Sequence, residues 1–309
     1  MSHKIRIFES IPLAAAIAAC TSTTVNVPAD APAAQTAADI TVATNYEASL
    51  AWAVSDPVPV GLFVLDATTA VTTEAVPGAA AASAAASATN QSFSPAGCVS
   101  ASASGNVATF NLSKCTGPGG LSSATGTFSA TFTPSSQGLQ IQLAGSNISV
   151  NGANINVASL GVLTLGSDMV TKTFQANTTS SGTGPFGEGV ARAGNYSLTW
   201  QSGSNCGTVN GSFADIVLDG GLESGVDGGP LDGAWDSGFE AGLVTTSNGG
   251  RASTTNVINY VRCRAQCPQS GTTTRNFANG TVTITYNGSS SVPWSGSNGN
   301  AGTLNLNCP

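Results

Sequence analysis

The chain has 309 residues, of which only 8% are charged, and a net charge of −7; typical globular proteins carry about 25% charged residues. Helices of soluble proteins need charged outer faces, so this composition argues against a helical protein and for strands whose outer faces are Ser, Thr and Asn. An acidic chain with few, scattered basic residues has no electrostatic footprint for nucleic acid and no polybasic patch for anionic lipid.

The first element is a basic start (Lys4, Arg6) followed by a short apolar run, Leu13-Ala-Ala-Ala-Ile-Ala-Ala-Cys20. The run is far below the ~20 apolar residues a spanning helix needs, and it has the build of a secretory signal peptide. Its last four residues, Ile17-Ala18-Ala19-Cys20, resemble the lipobox of bacterial outer-membrane lipoproteins. The resemblance covers residues 1–20. It implies cleavage before Cys20, lipidation of Cys20, and, with Thr21 rather than Asp following, an outer-membrane address reached through the lipid. Removing residues 1–19 also removes His3, the only histidine. No base then remains for Ser-His-Asp or Cys-His catalysis, and the commonest zinc ligand is gone.

Residues 20–38 are small, polar and rich in Pro and Ala. They read as a flexible tether. Residues 39–95 form a mixed, partly helical or irregular N-terminal region. Within it, Asp56-Pro-Val-Pro59 breaks an apolar stretch whose first piece is a short helix or a strand. The alanine-rich stretch from Ala75 to Asn90 is a short helix opening at Pro77-Gly78, or a low-complexity linker.

From residue 96 to 309 short alternating runs recur between turn signals. Examples are Val107–Leu112, Thr127–Phe132, Leu139–Leu143, Tyr196–Trp200, Thr281–Tyr286 and Thr303–Asn307. Each places apolar residues on one face and Ser, Thr, Asn or Gln on the other, the period of a half-buried strand. Turns are predicted at Ser104–Asn106, Pro134–Gly138, Asn151-Gly, Asn210-Gly, Asn279-Gly and Asn287-Gly. The expected fold is all-β: an antiparallel meander forming a sandwich or a barrel-like pair of sheets.

The seven cysteines are Cys20, Cys98, Cys115, Cys206, Cys263, Cys267 and Cys308. With Cys20 assigned to the lipid, six remain for three disulfides in an oxidising compartment. Cys98 and Cys115 close the open end of a predicted hairpin, a bond worth ~3 kcal/mol in the chain-entropy model. Cys206 opens one strand run and Cys263 closes another, which suggests a second bond and leaves Cys267 for Cys308. A four-thiolate metal site built on Cys263-x-x-x-Cys267 is the alternative.

Other candidate chemistry is sparse. The acidic, Gly-rich stretch from Asp215 to Glu240 contains Asp219, Asp227, Asp232 and Asp236, oxygen ligands suited to Ca²⁺ though not in a calcium-loop spacing. Its plain alternative is a solvated loop; a hydrolase using paired carboxylates is a further one. Trp235 and Trp294 lie among Gly, Ser and Pro and are candidates for sugar stacking on loops, whereas Trp200 and Tyr286 read as core. The expectation is a lipid-anchored cell-envelope protein that is not an enzyme and that has a binding or structural role, a binding role taking a glycan or protein partner at the cell surface. A carbohydrate-binding or adhesive module is the second class.

Overall fold

The computed structural model describes residues 48, 50–59, 75–116, 123–150, 153–183, 189–218, 244–245, 251–263, 266–277 and 280–306. A short helix, α1, runs through 50–55. It stops where Pro57 pushes Asp56 away from helical angles. A second helix, α2, spans Ala75–Ser92, so the alanine-rich stretch is a helix rather than a linker. Ala81, Ala82 and Ala85 are fully buried against β1–β3. Alanine serves twice there, by helix propensity and by letting the helix axis sit close to the sheet.

The strands are β1 (Val99–Ser104), β2 (Val107–Thr116), β3 (Ser123–Ser135), β4 (Gly138–Val150), β5 (Ala153–Leu165), β6 (Thr171–Thr183), β7 (Gly189–Gln201), β8 (Cys206–Leu218), β9 (Val244–Thr245), β10 (Arg251–Cys263), β11 (Ser270–Phe277), β12 (Gly280–Tyr286), β13 (Ser291–Gly296) and β14 (Ala301–Asn305). Every pairing is antiparallel, and each strand lies beside its sequence neighbours; β9 alone leaves the path, pairing with the start of β10. The antiparallel meander therefore holds along the whole chain. The expected pair of sheets does not: the strands form one continuous hydrogen-bonded sheet.

One face of this sheet is buried and the other is exposed, strand after strand, as the alternation demands. Phe110, Phe128, Phe132, Ile141, Phe174, Trp200, Phe213, Tyr260, Ile284 and Trp294 all belong to the buried face. They join Leu50, Trp52 and Val54 of α1 and the alanines of α2 in a single core cluster, so the described parts of 39–95 share the core of 96–309. Phe110 stacks on Phe128 at 4.6 Å, and Tyr260 meets Tyr286 edge-on at 4.9 Å.

Three predicted turns are found where the sequence puts them: Gly105-Asn106 joins β1 to β2, Ser136-Gln137 joins β3 to β4, and Gly288 adopts positive φ after β12, while Asn151-Gly152 and Asn279 lie outside the described residues. Asn210-Gly211 is the exception, since it lies inside β8. A Cβ on Gly211 would fall 2.6 Å from the Phe213 ring and 3.0 Å from the Asn195 carbonyl. This glycine answers a packing need, not a turn. The β5–β6 hairpin is held by Asp168, whose Oδ1 accepts the N–H groups of Val170 (3.0 Å) and Thr171 (2.8 Å) and whose Oδ2 accepts the Thr171 hydroxyl at 2.6 Å.

Cys98–Cys115 and Cys206–Cys263 are bonded, with Cα separations of 5.4 and 4.0 Å. Cys206 and Cys263 are directly opposed in the β8–β10 register. Cys267 is also disulfide-bonded; Cys308, its expected partner, lies outside the described residues.

Two stability predictions follow from these constraints. The loops closed by the two bonds span 17 and 57 residues in sequence separation. Replacing Cys206 and Cys263 by Ser should therefore cost more than replacing Cys98 and Cys115, ~4 against ~3 kcal/mol in the chain-entropy model, as read by urea unfolding. The Thr171 hydroxyl, then the N–H groups of Thr171 and Val170, hold the Asp168 carboxyl at about 2, below its ordinary 3.8. A depressed carboxylate contributes stability above its unfolded pKa and loses it as pH falls through the folded one. Asp168→Asn should therefore flatten the part of the stability loss between pH 3.8 and about 2 that this carboxylate causes, measured by unfolding at both ends of that window.

Candidate functional site

The charged residues of the sheet are distributed opposite to the usual pattern. Among side chains described in β3–β8 and β10–β14, every exposed one is uncharged, while Lys172, Arg192, Arg262 and Arg275 are all at least 97% buried. Each sits at an inward position, in step with Phe174, Tyr196, Tyr260 and Thr273 respectively. Burying a cation costs heavily unless its charge and hydrogen bonds are satisfied.

Lys172 shows how one of these is accommodated. Its Nζ donates to the carbonyls of Ser55 (3.4 Å), Asp56 (2.5 Å) and Val58 (3.0 Å), at and just beyond the C-terminal end of α1, where the Ser55 carbonyl also accepts the Val58 N–H at 3.2 Å. Beside it, Trp200 Nε1 donates to Asp56 Oδ1 at 2.8 Å, and Trp52 of α1 lies 6.3 Å from the Trp200 ring. Burial pulls the Lys172 pKa down, and the Asp56 charge opposes that shift. The ammonium is a structural clamp that pins α1 to β6 and β7.

The arginines are structural in the same way. Arg192 lies over the Phe213 ring at 4.2 Å, and in register it stands opposite Asp215. Arg275 Nη1 donates to Thr255 Oγ1 at 3.3 Å, and Arg262 donates to the Gln266 carbonyl. Burial lowers the Arg262 pKa and raises that of the neighbouring Tyr260.

The accessible chemistry is on the outward face. Two shallow hollows lie side by side there, with volumes of about 820 and 870 Å³. The first crosses β3–β8 and is floored by Ala144, Ala158, Ala193 and Ala214. The second crosses β5–β8 and β10 and is lined by amides: Gln175, Asn177, Asn195, Asn210 and Asn256, with Val162 and Ile258 between them. The register makes Asn177, Asn195, Ser212 and Asn256 cross-strand neighbours in one row, and Val162, Gln175, Ser197 and Asn210 in the next. A β-bulge shapes one side of the hollow. It falls between Val257 and Tyr260, with Asn259 at φ 49° and its N–H held by Asn210 Oδ1 at 2.7 Å. The bulge leaves Ile258 50% exposed.

The residues singled out from the sequence fall elsewhere. Trp294 is 7% exposed on the inward side of β13, against Gly302. It is a core residue and cannot stack on a sugar from solvent, because alternation in Ser-Val-Pro-Trp places it with Val292 in the core. Trp200 and Tyr286 are buried, as read. Every aromatic residue whose side-chain burial is described is buried, so the described part of the outward face offers no stacking platform. Trp235 and the four carboxylates Asp219, Asp227, Asp232 and Asp236 lie outside the described residues, as does Cys20. No group of three or more metal-ligating side chains occurs among the described residues. The amide row was missed because isolated Asn and Gln in alternating runs read as ordinary strand exteriors; only the register brings them together.

Comparison with protein-family models, curated proteins and solved structures gave no match.

The Lys172 clamp gives a direct test of how α1 is held. Lys172→Met removes the buried ammonium from the carbonyls of Ser55, Asp56 and Val58 and should destabilise the fold by about 3 kcal/mol. The tryptophan fluorescence should also change, because Trp52 and Trp200 lose their fixed relation. Denaturant unfolding followed by fluorescence reads both.

Proposed function

We propose that this chain is a lipid-anchored cell-envelope protein that acts by binding rather than by catalysis, and that the outward face of its sheet is the working surface. The observation that carries the reading is the separation of charge. The ionisable side chains described in β3–β8 and β10–β14 are buried in structural contacts, and the exposed ones are hydroxyl, amide and apolar groups, Leu160 and Ile258 among them. Such a face can accept and donate hydrogen bonds and shed water from methyl groups. It supplies no nucleophile, acid or base near neutral pH. The disulfides Cys98–Cys115 and Cys206–Cys263 support an exported protein, since such bonds persist in oxidising compartments. The lipid anchor rests on the Ile17–Cys20 motif.

The test is the intact mass of protein purified from membranes without reductant. The expected mass is that of residues 20–309 plus a triacyl group, less six hydrogens for three disulfides. Cys20→Ser should move the protein out of the membrane fraction. An unlipidated wild-type mass, or a Cys20→Ser protein still held by membranes, would overturn the anchor.

A further inference from the structure

The geometry points to a ligand class for the outward face: we infer that the amide-lined hollow on β5–β8 and β10 binds a neutral polysaccharide chain. This rests on the binding-protein reading and deepens it. Three observations converge on the hollow. The first is chemical. Gln175, Asn177, Asn195 and Asn256 each present a carbonyl acceptor and an amide donor in one plane. Their side chains carry no hydrogen bond to other described residues, so these groups point at solvent ready for use. Paired donor and acceptor is what adjacent sugar hydroxyls require, since each hydroxyl both gives and accepts.

The second is electrostatic. No charged residue lies among those lining the hollow, and the exposed strand residues around it are uncharged. An anionic polymer would leave water and counterions without gaining a cation. A cationic one would find no carboxylate. A neutral polyhydroxylated ligand forfeits nothing on this surface.

The third is dimensional. Strand neighbours are ~4.8 Å apart and same-face residues along a strand ~6.8 Å apart, so the two amide rows form a regular grid. Its amides lie on four strands, β6, β7, β8 and β10, and the row from Asn177 to Asn256 is on the order of 14 Å long. Polar groups repeated over that length suit a chain of sugars better than a single small molecule. Val162 and Ile258 supply apolar contact for the C–H faces of the sugar rings, in place of an aromatic platform.

The experiment uses the full-length protein in detergent, immobilised and challenged with dextran, mixed-linkage β-glucan and galactomannan, with alginate as the anionic control. At least one neutral polymer should be retained, alginate should not, and retention should be insensitive to salt because no charge is involved. Asn177→Ala combined with Asn195→Ala removes two exposed amides and should weaken retention roughly tenfold or more. Asn195→Asp, which keeps shape but adds charge, should weaken it as well. Thr283→Ala combined with Ser295→Ala, on the outward face of β12 and β13, should leave it unchanged. Equal melting temperatures of all variants would exclude unfolding as the cause. No retention of any neutral polymer, equal retention of alginate, or unchanged retention by both hollow variants would overturn the inference. So would self-association of the protein that Asn195→Asp abolishes, since the face would then serve a second copy. None of these outcomes touches the anchor, which the intact mass decides alone.

Discussion

The structure depends on one constraint: a single antiparallel sheet must bury one entire face. The strands place mostly apolar side chains inward at every second position, and these join the buried side chains of α1 and α2 in a single core. The aromatic residues go to this task. With so much of the large apolar surface committed inward, the outward positions fall to Ser, Thr, Asn, Gln and Ala. The low charge of the chain has the same origin, because strand exteriors of this kind stay hydrated through hydroxyls and amides and need few ionised groups.

The ionised groups whose side chains are described in β3–β8 and β10–β14 obey the same alternation, whereas Lys114 of β2 is exposed. Lys172, Arg192, Arg262 and Arg275 occupy inward positions and are held by carbonyls, hydroxyls or an aromatic face. Lys172 is the clearest case. A helix as short as α1 is marginal by itself, and its C-terminal carbonyls would be costly to bury bare. The lysine satisfies them and fixes the position of the helix on β6 and β7. Across the described side chains of β3–β8 and β10–β14, charge inside and neutrality outside are thus two sides of one arrangement.

Much of the fold was legible in the sequence because period-2 alternation is a local property. The runs at Val107–Leu112, Tyr196–Trp200 and Thr281–Tyr286 each became a strand with the predicted face inward. The two disulfides were legible for the same reason, since their cysteines mark strand ends. The misses have a common cause: they concern relations between strands. Whether the meander folds into one sheet or two is not encoded within any single hairpin. Gly211 looked like half of an Asn-Gly turn, but the Phe213 ring beside it sets its need for a missing side chain. Trp294 looked like a loop residue because Pro293 and Gly296 surround it, yet its partners are Ile284 and Gly302 on neighbouring strands. The amide grid was invisible for the same reason. Asn177, Asn195 and Asn256 are far apart in sequence and become neighbours only through register.

The Cys206–Cys263 bond has a consequence for the chain's response to proteolysis. It ties the end of β10 to the start of β8, bracketing everything from residue 206 to residue 263. A single cut anywhere between those two cysteines would divide the polypeptide without dividing the molecule. The β8 and β10 sides would remain covalently joined, and the sheet would keep both halves of its ladder at that point. Scission would become apparent only after reduction, so a cut between these strands would leave the outward face of the sheet in one piece.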